Sequence, residues 1–143
     1  MKLKFFMSYV IIGLSSTIAH AEYGAEKARY DSIKDQFGGC ISTTLKKNGD
    51  ESKNTILNCY DSAQDALTSQ IKSIRASKKK AINEADWKEV NLSHQKGVQS
   101  CAEISNSVPY SNFTGYLDIE CEANYYFSLA EAAIEMHYPK PKK

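Results

Sequence analysis

The stretch FGGCISTTLKKNGDESKNTILNCY, residues 37–60, carries the pattern that decides the fold. Cys40 lies about two helical turns before the Asn48-Gly49 break, and Cys59 lies about two turns after Ser52. Asn-Gly is a stop signal because both residues tolerate the left-handed backbone that ends a helix. A chain folded back here brings the two cysteines to comparable heights on neighbouring helices. The stretch therefore predicts a helical hairpin closed by a Cys40–Cys59 bridge.

Apolar residues recur at helical spacing on both sides of it. Upstream, Tyr30, Ile33, Phe37, Ile41 and Leu45 mark one stripe, with Gly38-Gly39 expected to weaken or bend the helix. Downstream, Ile56, Tyr60, Ala63, Leu67, Ile71 and Ile74 mark a longer one. Lys78-Lys79-Lys80 lies near its end, where positive charge complements the helix dipole, a better account of the run than a nucleic-acid or lipid patch. After a connection near Asn83, a third stripe runs through Trp87, Val90, His94, Val98 and Cys101, with Glu84 and Asp86 suited to its N-terminal end. Residues 106–112 break the chain again at Pro109. The fourth helix, Phe113 to His137, carries apolar groups on too many sides for one narrow face, so it should be the most buried helix or else expose an aromatic patch.

Cys101 and Cys121 flank the Pro109 break much as the first pair flanks Asn48-Gly49, which predicts a second bridge, Cys101–Cys121. Four cysteines allow three connectivities. Cross-pairing of Cys40 with Cys121 and Cys59 with Cys101 stays open, since a four-helix core also brings the hairpins together. The fold expected is all-α, a small bundle of about four helices arranged as two disulfide-stapled hairpins. A zinc alternative would use His94 and Cys101, seven residues apart, with Cys59 or Cys40. Close ligand pairs of the C-x₂-C kind are absent, and no metal or cofactor is predicted.

The first residues read as an export signal. Lys2 and Lys4 precede an apolar run from Phe5 to Leu14, and Ala19-His20-Ala21 fits a small-residue cleavage site. That run is about half the roughly 20 residues a membrane span needs. The expected organisation is a signal peptide at 1–21, one helical domain at 22–138 and a short basic tail at 139–143. The localisation is periplasmic or secreted, an oxidising setting that favours disulfides over metal-bound thiolates.

Overall charge is nearly balanced, with 18 basic and 17 acidic residues, but its distribution is not. Residues 22–83 sum to +3, whereas residues 84–138 sum to −7. Such an acidic half is either a solvated polar face or a field that steers a cationic partner. No catalytic constellation stands out. The histidines after residue 21 are His94 and His137, neither in a nucleophile motif, and the Asp118/Glu122 pair, one turn apart, is ordinary on a solvated helix. These residues support no enzymatic role, and no enzyme is expected.

Three stretches sharpen this. Asn58-Cys59-Tyr60 followed by Ala63, Ala66, Leu67 and Ile71, then Leu92-Ser93-His94-Gln95 leading to Cys101, and Cys121 opening a helix through Leu129, together cover most of Phe37 to Ile134. This pattern resembles the LprI-type lysozyme inhibitor family, small exported four-cysteine helical domains. The chain departs from it in lacking the Arg-Asp pair before the third cysteine and the Thr-x-x-Arg after the fourth. The resemblance implies lysozyme binding and protection of the cell wall. The contacts expected are the Val108-Pro109-Tyr110 loop, restricted by proline and presenting an aromatic anchor, with Asp118, Glu120 and Glu122 supplying negative field. Other readings are an envelope structural or adaptor protein, whose basic tail touches anionic polymer or lipid, and an immunity protein against a wall-degrading toxin.

Overall fold

Four helices follow one another in a computed structural model: α1 (Phe6–Leu45), α2 (Glu51–Ala76), α3 (Glu84–Ser107) and α4 (Thr114–His137). The described residues are 6–46, 51–77, 83–107 and 114–138, with side chains described at 21–46, 54–77, 83–103 and 118–138. They contain no strand, and no helix among them is long and apolar enough to cross a membrane. The Val108-Pro109-Tyr110 loop and the basic tail lie outside the described residues.

Every residue of the predicted α2 stripe is buried, from Ile56 to the fully enclosed Ile74. Residues three and four apart stack on one side of a helix, and here that side meets two others. Tyr30 and Ile33 enter from α1, and Ala123, Phe127, Leu129, Ala130, Ala133 and Ile134 from α4. Phe127 is the hub, with Tyr30 edge-on at 5.8 Å between ring centroids and Phe37 tilted against it at 5.6 Å. As expected from its composition, α4 is buried along much of its length.

Both predicted bridges form. Cys40 joins Cys59 and Cys101 joins Cys121, each with Cα atoms 5.8 Å apart. The bridges and cross-helix contacts define the directions. α1 runs antiparallel to α2, where Glu26 meets Gln70, and α3 runs antiparallel to α4, where His94 meets Tyr125. α2 and α4 pack side by side, with Tyr60 meeting Glu122. α1, α2 and α4 surround the core, while α3 lies along α4 on its far side and makes no backbone-close packing with α1 or α2 among the described residues.

That placement explains why α3 is the least buried of the predicted stripes. Cys101 is buried, but Trp87, Val90, His94 and Val98 are only half-buried, because one neighbouring helix cannot cover them. The start of α3 is well specified: the Asn83 side chain accepts a hydrogen bond from the Ala85 amide at 3.0 Å, capping a first turn that carries Glu84 and Asp86.

Helix α1 continues through Gly38-Gly39, where the Gly39 carbonyl oxygen accepts additional hydrogen bonds from Ser42 Oγ (3.0 Å) and Thr43 Oγ1 (2.8 Å). One expectation for α1 needs correction. Leu45 is 61% exposed, and its expected place is taken by Thr44, which is buried beside Cys59. At about 100° per residue, Thr44 points within about 20° of Ile33 and Phe37, whereas Leu45 points about 80–120° away.

Candidate docking surface

The outer hairpin α3–α4 carries all nine carboxylates of the acidic half. Several are neutralised or engaged by the inner helices. Lys27 of α1 reaches Glu131 of α4 at 3.3 Å and Asp31 of its own helix at 3.3 Å. Burial pushes the Lys27 ammonium down, but the hydrogen bonds and charges of Asp31 and Glu131 together outweigh it and leave it above its ordinary value. Arg75 Nη2 donates to both oxygens of Glu84 at 3.1 Å. Asp86, Glu89, Glu103 and Glu120 remain exposed.

The three acidic residues singled out from the sequence do not act alike. Asp118 and Glu122 lie one turn apart on the same side of α4, and both are half-buried. Glu122 accepts a 2.9 Å hydrogen bond from the Tyr60 hydroxyl, tying α4 to α2. Burial raises the Tyr60 phenol first, and the hydrogen bond and charge of Glu122 raise it further, so it stays protonated and donating. Asp118 Oδ1 is buried without a hydrogen-bond partner among the described residues. Glu120 faces solvent on the other side of the helix.

A feature that the sequence reading missed lies where α3 crosses α4. Gly97, buried in the middle of α3, sits directly beneath the Tyr125 ring, and a Cβ at this position would overlap ring atoms. His94, one turn earlier, places Nδ1 3.1 Å from the Tyr125 carbonyl oxygen. A carbonyl only accepts, so the proton of this bond belongs to Nδ1. The same imidazole stands edge-to-face on Tyr126, with ring centroids 4.7 Å apart. Glycine inside a helix costs about 1 kcal/mol relative to alanine, and here it admits the tyrosine ring. Tyr125 is 37% exposed although the residues around it on α4 include the core.

With all four cysteines oxidised, none is a thiolate ligand for His94, and among the described residues no three His, Cys, Asp or Glu side chains converge as a metal-holding group. A cleft of about 220 Å³ between α1 and α2 is lined by Ile33, Gln36, Phe37, Cys40, Cys59, Ser62, Ala63 and Ala66. None of these side chains titrates near neutrality, so the cleft holds no acid–base pair.

The opposite end of the molecule joins α2, α3 and α4. The Arg75 guanidinium lies 4.7 Å above the Trp87 ring, and its Nη1 is buried without a partner among the described residues. His137 is 4% exposed, with Nδ1 unpartnered among the described residues. Burial, followed by the Arg75 charge, holds the His137 imidazole below its ordinary value of 6.5, while Glu84 acts weakly the other way. Above that value His137 is neutral folded and unfolded and contributes no pH dependence. As pH falls through it, the unfolded chain takes the proton first and folding stability declines until the lowered folded value is reached. His137→Phe should flatten the fall in thermal midpoint between about pH 7 and pH 5, measured by circular dichroism against the wild type.

No family model matches the chain, and neither a curated protein nor a solved structure is significantly similar to it. Its class rests on its own residues: an all-α domain of two helical hairpins, each closed by its own disulfide, whose outer hairpin is acidic.

Proposed function

We propose that the protein is an exported lysozyme-inhibitor-like binding protein that blocks a cationic muramidase by protein–protein contact. The observation that carries this reading is the acidic α3–α4 hairpin, whose sequence sums to −7 and on which Asp86, Glu89, Glu103 and Glu120 are exposed to solvent. An acidic surface presented in this way raises the rate of encounter with a cationic protein and disfavours anionic ones. Two bridges fit an oxidising compartment, where such a partner would be met. The resemblance of the Cys59, Cys101 and Cys121 segments to LprI-type inhibitors points the same way. The protein's role is then to occlude a glycan-binding cleft, and it needs no catalytic group of its own.

The test is an inhibition assay with the purified, fully oxidised protein against a panel of cationic lysozymes, read as clearance of cell-wall suspensions. Inhibition at micromolar concentrations or below of at least one member is expected. Loss of all effect across the panel, with both disulfides verified, contradicts the reading.

A further inference from the structure

We propose that Tyr125 is the anchor of the docking surface and that it receives a basic side chain of the cationic protein partner, an inference that rests on the function proposed above. The ring is held from two sides before any partner arrives. Gly97 supplies the notch beneath it, and His94 fixes the backbone beside it through the 3.1 Å contact with the Tyr125 carbonyl oxygen. Neighbouring aromatic residues are otherwise committed: Phe127 is buried against Tyr30 and Phe37, and Tyr126 is half-buried against His94. Tyr125 alone of these three is exposed. An aromatic side chain already held in place loses little conformational freedom on binding, which is why such residues dominate interface energetics.

The chemistry of the occupant follows from what shares the surface. Glu122 lies one turn before Tyr125 and Asp118 two turns before it, on the same side of α4. A lysine or arginine side chain laid over the tyrosine face gains from the ring quadrupole, and its charge is favoured by the acidic field of the hairpin, whose sequence sums to −7 and whose Glu89, Glu103 and Glu120 are exposed. An anionic or purely apolar partner would meet the same carboxylates unfavourably.

The experiment is titration calorimetry of wild type, Tyr125→Ala, Tyr125→Phe and Gly97→Ala against a cationic c-type lysozyme, or against whichever panel member the inhibition assay identifies. Tyr125→Ala should weaken binding about tenfold or more, whereas Tyr125→Phe, which keeps the ring face, should stay within about threefold of wild type. Gly97→Ala should displace the ring and weaken binding while the helical circular dichroism is retained, so a folded variant reports on the ring even if Tyr125→Ala is poorly behaved. Equal affinity of wild type, Tyr125→Ala and Gly97→Ala overturns the anchor and leaves the proposed function standing. Failure of the wild type to bind any member overturns the function and the anchor together.

Discussion

Replacing Cys101 and Cys121 together by serine should detach α3 while leaving α1, α2 and α4 assembled. On the chain-entropy account, a bridge closing a loop of this size contributes about 3 kcal/mol, a large fraction of the margin of a small domain. The cost should fall unevenly because the α3 backbone packs closely along α4 only, α2 touching it just through Arg75 on Trp87 and Glu84, and α3 contributes only half-buried Trp87 and Val90 to the edge of the core. Without the bridge, α3 is held by the His94–Tyr125 contact, the Gly97 notch, the edge packing of Trp87 and Val90 with Arg75 over the Trp87 ring, and the Arg75–Glu84 pair, which is solvent-exposed on the Glu84 side and therefore weak. Hydrogen exchange should show the amides of residues 84–103 losing protection in the double variant, with the amides of Tyr60–Ile74 and Phe127–Ile134 still protected. The companion variant Cys40→Ser/Cys59→Ser should behave differently. α1 is also held through Tyr30, Ile33 and Phe37, so its loss of stability should appear as a lower urea midpoint for the whole core rather than as selective release of α1. Uniform loss of protection in both variants would contradict this asymmetry.

The second large effect is expected at Leu67, which is 1% exposed at the centre of α2. Leu67→Ala removes buried methyl groups and leaves a cavity between three helices, at a cost of about 2–5 kcal/mol in urea unfolding. Leu45→Ala is the control. Leu45 is 61% exposed at the end of α1, so the same chemical change should lie within about 0.5 kcal/mol of wild type. Comparable losses at the two sites would mean that the apolar side of α1 turns differently from the packing described.

These contrasts indicate how much was legible before the structure. The α2 stripe was, because six apolar residues at unbroken helical spacing on a helix flanked by two neighbours leave one way to bury them. The bridges were as well, since Cys40 and Cys59 lie at similar distances from one chain reversal. Leu45 was misplaced because a list of apolar residues three to four apart tolerates a drift in angle that the helix itself does not, and Thr44 fell on the inward line. The position of α3 was hidden for a different reason: periodicity shows which side of a helix is apolar but not how many helices will cover it. Net charge summed along the chain was right in total yet blind to pairing, for Glu84 and Glu131 meet Arg75 and Lys27 only in three dimensions. Glu122 is likewise both a member of the acidic half and a hydrogen-bond acceptor for Tyr60. Gly97 was the one available hint of the Tyr125 notch, a glycine in mid-helix three residues after His94. Nothing in its spacing identifies the ring that fills it.

The central claim is that the acidic α3–α4 hairpin recognises a cationic muramidase, and its most direct test is the affinity of the oxidised protein for a cationic c-type lysozyme as ionic strength is raised from about 0.05 M to about 0.5 M, across which the screening length shrinks several-fold. The account predicts binding that accompanies loss of muramidase activity and weakens at least about tenfold over that range, chiefly through a slower association rate. Affinity that does not move with salt, or no binding at micromolar concentrations, would contradict it.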